Sequence, residues 1–445
     1  MAYKKNNSGF VLIMSIVLMI FLGIMLAASS LRANIELQES MSRLATQQAF
    51  YAAESSLQQA VVQLRQGQGY YNDPVNAAKA NTYQALINDS NPASNTIVGY
   101  NKVQVLPTTN YQQFFPSVWI KSWGQDASQK VTVSILARVV IESPTNFFLS
   151  TAGNLQVRSG SSIDYDILGN VVSFVVDPSP TLTTDERKIT ITDPDQTKPS
   201  VYYLQEVQGY TDSSGNPDPA IDITGSPPSP KQSPIESFPG VDLDYYRALA
   251  QYNGSYNSDG LTYDGDPSVL KLSKNNNGVV FSEKDIHISG PVPNPMIFVA
   301  GGNIYIENSV TVPTSNGLSP QNDPNAPQVG LLAKEDVIIP DTAPYELTID
   351  AFMMADGGPG SQGGILQAPG TKGSKTSINI VGAIALRGSG VTTTAADLNV
   401  YKQRIYNYNT NFQTKNQIPY LLSVAKIVNW QEVNPNDQIP ANPPQ

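Results

Sequence analysis

Few residues of this chain could carry out acid–base or metal chemistry. His287 is the only histidine among 445 residues, and the chain has no cysteine. These counts exclude a histidine-dependent catalytic triad, a multi-histidine metal site and thiolate chemistry. His287 stands between Ile286 and Ile288 in an alternating pattern, which predicts a structural residue on the outer face of a strand. We therefore predict no catalytic residue, no metal site and no cofactor, and we do not expect an enzyme.

A glycine-rich stretch from Asp356 to Ser377 comes close to a phosphate-binding loop. The pattern fails at Ser374, which occupies the position of the glycine before Lys375-Thr376. The following TSINIVG predicts a strand, whereas phosphate binding needs the N-terminus of a helix. The sequence therefore does not predict nucleotide binding.

The carboxylates of the chain allow one further alternative for its function, a glycan-active enzyme, which ranks third after the two functions given below. β-Solenoid lyases and hydrolases use carboxylates, or carboxylate-bound Ca²⁺, on an outer face, and Asp350 and Asp356 lie near predicted strand ends. Clusters rich in Asp, Asn and Gly at 211–218 and 257–266 lack the spacing of an EF-hand loop and are typical of turns. No residue can be assigned to such an activity from the sequence.

A basic and aromatic segment extends from residue 372 to residue 426, although the whole chain has a net charge of −10. Asp397 is its only acidic residue. The candidate contacts to a nucleic-acid backbone are Lys372, Lys375, Arg387, Lys402, Arg404 and Lys415, with Lys426 beyond them. The aromatic residues between them, which could stack on bases, are Tyr401, Tyr406, Tyr408, Phe412 and Tyr420. The alternative, which we favour, is a solvated tail that folds back on the preceding domain.

The N-terminal part of the chain has the length and composition of a membrane helix. Residues 10–31 contain no charge, and at about 1.5 Å per residue twenty such residues span the roughly 30 Å hydrocarbon core of a bilayer. Lys4 and Lys5 precede this run and predict a cytoplasmic N-terminus, with the remainder exported. A cleaved secretory signal fits less well, because its apolar core is shorter and Leu26-Ala27-Ala28 is a poor cleavage site.

The same helix is predicted to continue into water. No Gly or Pro occurs from Ser29 to Gln66, and apolar residues recur at three- and four-residue spacing up to Leu64, as in an amphipathic helix. The helix should end near Gly67 and Gly69, which gives a rod of roughly 85 Å.

This helix resembles the N-terminal helix of type IV pilins and type II secretion pseudopilins. In that family a prepilin peptidase cuts after a glycine and methylates the next residue, and the matching positions here are Gly9 and Phe10. The usual glutamate at the fifth mature position is replaced by Met14, which the resemblance associates with the leading subunit of a filament. The segment AFYAAESSLQQAV (residues 49–61) is similar to PilX-type minor pilins. The alternative is a plain membrane-anchored surface protein.

The resemblance implies a structural minor pilin that primes assembly or lies at the filament tip. Its partners would be other major and minor pilins, the prepilin peptidase, the inner-membrane assembly platform and, before assembly, membrane lipid. It would lie in the inner membrane and later at the cell surface. The leading functional alternative is a tip receptor for DNA or an adhesin for a surface or glycan.

Strand patterns follow the helix. After a predicted short helix at 77–87, apolar alternation predicts strands at 102–106, 117–123 and 130–141, which form a small antiparallel sheet against the long helix.

A tetrapeptide then recurs: Asn or Asp, an apolar residue, any residue and a second apolar residue. Its copies are NLQV (154–157), DIHI (285–288), NIYI (303–306) and DVII (336–339). Asn or Asp suits the turn before each strand, and stacked units would bury a continuous apolar core as in a solenoid. An antiparallel sandwich is the alternative.

The predicted fold class is therefore α+β: a long pilin helix on a small antiparallel sheet, followed by a large β-rich, solenoid-like domain. A helix after the Pro-rich linker should begin at Asp242 or Asp244 and end before Gly254.

The layout resembles ComZ-type competence minor pilins, which carry a β-solenoid and are implicated in DNA uptake. The predicted segments are a leader at 1–9, the helix at 10–68 (10–31 transmembrane), the sheet at 69–145, a first β-rich part at 146–226, the linker and short helix at 227–254, the main solenoid-like part at 255–396 and the basic tail at 397–445.

Overall fold

The computed structural model shows an α+β protein with one long N-terminal helix and a large β-rich region. The described residues are 8–65, 84–88, 102–107, 117–127, 130–142, 144–145, 148–152, 154–165, 167–176, 188–192, 201–211, 216, 218–224, 230–232, 240–270, 272, 277–315, 317–357, 363–388, 396–414, 418–422 and 424–434. Most of the predicted Pro-rich linker, and residue Lys415, lie outside them.

The long helix α1 packs on a small antiparallel sheet, as predicted. Helix α1 covers Ser8–Arg65. The sheet has the order β1-β2-β3-β4-β26, with strands numbered along the chain as β1 (Gln84–Asn88), β2 (Lys102–Pro107), β3 (Ser117–Gln125), β4 (Thr132–Glu142) and β26 (Val424–Val433). Strand β1 occupies the end of the predicted short helix, because residues 84–88 pair with β2 as an edge strand.

The β-rich region begins with short strands that precede the second helix. They are β5 (Leu149–Thr151), β6 (Asn154–Arg158), β7 (Ser161–Ile163), β8 (Ile167–Val175), β9 (Ile189–Thr192), β10 (Val201–Gln208), β11 (Ile221–Thr224) and β12 (Lys231–Gln232). Helix α2 covers Leu243–Asn253. The Asp242 side chain accepts a hydrogen bond from the Tyr245 N–H and Gly254 follows the helix, so both predicted ends are confirmed.

The region continues after α2 with thirteen further strands. They are β13 (Ser255–Asn257), β14 (Leu261–Tyr263), β15 (Val279–Ser282), β16 (Ile286–Pro291), β17 (Met296–Ala300), β18 (Ile304–Thr311), β19 (Val329–Ala333), β20 (Val337–Ile338), β21 (Glu346–Ala355), β22 (Leu366–Gln367), β23 (Lys375–Leu386), β24 (Ala396–Asp397) and β25 (Tyr401–Tyr408). A short helix, α3 (Asn411–Thr414), precedes the return to the small sheet.

These strands form a stack of coils, which we call the coil stack. Strands β13, β15, β17, β19, β21 and β23 pair successively in parallel, and β14, β16, β18, β20, β22 and β24 do the same along a second line. An antiparallel sandwich does not fit, because every pairing recorded among the described strands of this sheet is parallel. The core between the lines is a single apolar cluster, as stacked units require.

The coils are not stacked in chain order. Strands β23 and β25 pair with β5 and β7, so the C-terminal half of the stack (residues 255–408) ends on the first coil of the N-terminal half (residues 149–232). The chain then returns to the small sheet, where β26 pairs with β4. Residues 401–408 and 424–433, which the sequence assigns to a tail, thus form a strand of the stack and a strand of the small sheet.

The recurring Asn or Asp forms a ladder that links neighbouring coils. The Asp285 Oδ1 atom accepts the Asn303 N–H at 2.7 Å, and the Asn303 Oδ1 atom accepts the Asp336 N–H at 3.1 Å. Asp336 Oδ1 in turn accepts the N–H groups of Gly364 and Ile365. The residue therefore caps turns as expected, but it caps the turn of the next coil.

Candidate functional site

The exposed apolar part of α1 is the most unusual surface of the described chain. Large apolar side chains from Leu12 to Leu26 are each about half or more exposed, and the same is true of Leu31. Among the described residues, α1 is the one helix long and apolar enough to cross a membrane. A water-soluble domain does not leave so large an apolar surface uncovered, so this segment belongs in lipid or against other apolar helices.

The three residues predicted to mark processing and assembly lie at the start of this surface. Gly9 and Phe10 belong to the first turn of α1, which begins at Ser8. Met14 is 57% exposed on the same helix. The structure thus places all three on one continuous helix with the apolar segment.

The last third of α1 is buried against the small sheet by small side chains. Ala49, Ala52, Ala53 and Ala60 are at most 1% exposed. Their short side chains allow Gly124 of β3 to approach the helix backbone so closely that a Cβ atom there would lie 2.1 Å from the Ala49 carbonyl oxygen. The predicted strand at 117–123 ends just before Gly124, whereas β3 extends to Gln125 and includes it. The signal for its real role is that Ile120, Ser122 and Gly124 share one face of β3.

Two of the six candidate DNA contacts lie inside the coil stack. Lys375 is 5% exposed, and its ammonium donates to the carbonyl oxygens of Ala343 at 2.7 Å and Pro340 at 3.4 Å. Arg404 is 6% exposed and donates to backbone carbonyls and a serine hydroxyl. Desolvation lowers the pKa of both groups. Burial of Lys375 also explains why the glycine-rich stretch before it does not present a phosphate-binding lysine.

The other candidates are separated from the aromatic residues. Lys372 and Lys402 are exposed, Arg387 forms an ion pair with Asp356 at 3.1 Å, and Lys415 lies outside the described residues. The aromatic side chains are part of the core, with Tyr401, Tyr406, Tyr408 and Phe412 all at most 7% exposed and Tyr420 39% exposed. Alternation along β25 explains the burial of Tyr406 and Tyr408, which point inward. Tyr401 is buried at the start of the strand, where two exposed residues follow it and interrupt the alternation.

The lone histidine lies on the outer face of the stack, as expected. The His287 ring stacks on Tyr305 at 4.7 Å, and its Nδ1 atom lies 2.7 Å from Glu307 Oε1. Tyr305 is its register partner on the next coil. These contacts give His287 a structural role between coils.

The described residues contain no group of three or more His, Asp or Glu side chains that could hold a metal ion. Of the two Asp-rich clusters, 257–266 is described. There the Asp264 and Asp266 carboxylates accept backbone N–H groups two residues ahead, which is the geometry of turns. Most of 211–218 lies outside the described residues.

The two carboxylates near strand ends are both buried but have different partners. Asp356 is bound by Lys334 and Arg387. In Asp350, Oδ2 accepts the Val312 N–H at 3.3 Å, and Oδ1 has no hydrogen-bond partner among the described residues. Desolvation raises the pKa of Asp350 from 3.8 to about 6.

Replacing Asp350 by asparagine is expected to stabilise the protein at neutral pH. Because the pKa of Asp350 is raised on folding, the wild-type protein loses stability as the pH rises from about 4 to about 6. The full loss corresponds to about 3 kcal/mol. Asp350→Asn removes this titration, so its advantage should be absent near pH 4 and constant above pH 6. Urea unfolding at several pH values measures it, and an advantage independent of pH would contradict the expectation.

The solved structures that resemble this chain include a pilin. The chain is similar to the competence-associated pilin ComZ from Thermus thermophilus, with 13% sequence identity, a TM-score of 0.29 and an alignment that covers 87% of this chain and 97% of that one. A TM-score this low does not establish a common fold. No family model and no curated protein matches the chain.

Proposed function

We propose that this chain is a structural minor pilin of a type IV pilus or a related filament, without catalytic activity. The observation that carries the proposal is the division of α1 into two parts. Its first part is an uncharged, exposed rod, and its last part is buried on an antiparallel sheet. Such a helix can pass from lipid into a bundle of apolar helices without refolding, because both surroundings are apolar.

The start of the helix supports the finer part of the proposal. A prepilin peptidase would cut after Gly9 and methylate Phe10, while Lys4 and Lys5 hold the leader on the cytoplasmic side of the inner membrane. Met14 supplies no carboxylate to pair with the N-terminal amine of a subunit ahead of it. An unpaired carboxylate in hydrocarbon is costly, so its absence suits a subunit that starts the filament or lies at its tip. The partners are then other pilins and the inner-membrane assembly platform.

The way in which the coil stack is connected to the small sheet suits a domain that is displayed on the outside of a filament. The stack is inserted between β4 and β26, which are neighbours in the small sheet. Both chain connections to the stack therefore leave from the same end of this strand pair, at Glu142 and Val424. Two connections restrict the rotation of a domain more than a single linker does.

Mass spectrometry of the mature N-terminus tests the proposal. Protein from the producing cells, and from filaments sheared from their surface, should begin with N-methylated Phe10. A Gly9→Val variant should stay uncut and be missing from the filaments, whereas Gly23→Ala, at a glycine with no atom within 4 Å of its added Cβ, should be cut normally. An N-terminus at Ser29 or an uncut wild-type chain would overturn the proposal.

A further inference from the structure

The two halves of the coil stack meet at a seam, which we define as the pairing of β23 with β5 and of β25 with β7. Ile384 N–H donates to the Phe148 carbonyl at 2.6 Å, and Arg404 N–H donates to the Gly160 carbonyl at 2.9 Å. The Tyr408 ring stacks on Tyr165 at 3.9 Å. The seam joins segments more than 200 residues apart along the chain.

Two columns of inward-facing residues cross the seam and differ in one respect. One column is apolar throughout: Ile349, Ile380, Tyr406, Ile163, Ile191 and Ile223. The neighbouring column is Leu347, Ile378, Arg404, Ser161, Ile189 and Ile221, and all six residues are buried. Its apolar character is broken only at Arg404 and Ser161, which face each other across the seam.

Among the described residues, no carboxylate forms an ion pair with Arg404. Its guanidinium donates to the Tyr401 carbonyl at 2.7 Å, to the Ser161 hydroxyl at 3.3 Å and to the Ser159 carbonyl. Tyr401 belongs to its own half, whereas both serines belong to the other half. A buried cation held by neutral groups is expensive compared with an aliphatic residue, so stability alone does not account for an arginine here.

We propose that Arg404 is a positioning residue that determines where the two halves of the stack join. Parallel strand edges with apolar inward residues are interchangeable, and an open coil can accept the edge of another coil or of a second copy of the chain. Only the first coil of the N-terminal half presents the Ser159 carbonyl and the Ser161 hydroxyl to the guanidinium. Any other pairing leaves Arg404 buried without these partners and is thereby disfavoured, as with single buried polar residues in coiled coils. The inference does not depend on the proposed function.

A disulfide across the seam can report this pairing. Ile405 and Ser162 are register partners on the outer face and both are exposed. Neighbouring strands lie about 4.8 Å apart, which is within the range for a disulfide. Because the chain has no cysteine, Ile405→Cys with Ser162→Cys gives one bond within the chain when the seam is correct, and links two chains when halves are exchanged. The full chain is unfolded and refolded reduced in detergent, oxidised, and analysed on a non-reducing gel.

Arg404→Met in this background should keep the thermal unfolding temperature or raise it, but should lower the yield of the intrachain disulfide several-fold in favour of free thiols or linked dimers. Filling the column with Arg404→Met and Ser161→Val should have the same effect. The matched control is Ile378→Met, one coil away in the same column, which should keep the wild-type yield.

Three results would overturn the proposal. The first is a yield of the intrachain disulfide in Arg404→Met that equals the wild-type yield. The second is a reduction of this yield in Ile378→Met as large as the reduction in Arg404→Met. The third is failure of both Arg404 variants to refold while Ile378→Met refolds, because Arg404 would then be required for stability and not for pairing.

Discussion

Replacing Gly124 by alanine is expected to separate α1 from the small sheet and to lower the free energy of unfolding of that unit by about 3 kcal/mol. The added Cβ would lie 2.1 Å from the Ala49 carbonyl oxygen and 2.2 Å from the Ala53 nitrogen. These are backbone atoms in the middle of a helix, so they cannot move aside as a flexible side chain would. The whole helix must shift away and lose the contacts of its buried face.

Tryptophan fluorescence measures this effect selectively. All three tryptophans, Trp119, Trp123 and Trp430, lie in strands of the small sheet, so urea unfolding followed at this signal reports the sheet and not the coil stack. Gly23→Ala is the control, because its added Cβ meets no atom within 4 Å. Equal unfolding midpoints for Gly124→Ala and the wild-type protein would show that the close approach is not needed.

The long helix and the strands packed on it could be predicted because their signals are local. Apolar spacing and the lack of Gly and Pro define α1, and alternation defines β2, β3 and β4. The role of Gly124 could not be predicted in this way. It depends on the distance between a strand and a helix that are far apart in sequence, and a glycine before Gln125-Asp126 is equally typical of a turn.

The order of the coils could not be predicted either. The tetrapeptide indicates stacked units, since each copy provides a turn residue and two inward apolar residues. It does not determine which unit pairs with which, because parallel strand edges with similar inward residues are alike. Seam residues such as Arg404 and Ser161 break this similarity. In the sequence, however, Arg404 lies among other basic residues and aromatic residues, a composition that does not distinguish a basic surface from a buried seam.

The candidate site shows the same division between local and non-local signals. The uncharged run, Gly9, Phe10 and Met14 are adjacent in sequence and on the helix. By contrast, burial decides whether a lysine or arginine can reach a ligand, and burial is set by strand register. Lys375 and Lys402 have the same charge, but only Lys402 is exposed.

Replacing Asp356 by alanine is expected to loosen the attachment of α2 to the coil stack and to cost about 3 kcal/mol. The carboxylate side chain is only 3% exposed, and its Oδ2 atom accepts from Lys334 Nζ at 2.5 Å and from the Val241 N–H at 3.1 Å. Its Oδ1 atom lies 3.1 Å from the Arg387 guanidinium in an ion pair. Val241 lies just before α2, and Lys334 also donates to its carbonyl at 3.2 Å. Removal of the carboxylate leaves a buried N–H without an acceptor and two cations without their counter-charge.

Hydrogen exchange distinguishes this local effect from a general loss of stability. In Asp356→Ala, the amides of Val241 and α2 should exchange faster than they do in the wild-type protein, whereas the exchange of β25, which contains none of the carboxylate's recorded partners, should be unchanged. The matched control is Lys284→Ala, which removes an ion pair to Asp259 whose side chains are 65% and 86% exposed. Exposed pairs contribute less than about 1 kcal/mol, since water solvates both charges. Equal losses of stability, and equal exchange of the α2 amides, in Asp356→Ala and Lys284→Ala would show that the buried carboxylate does not hold α2 in place.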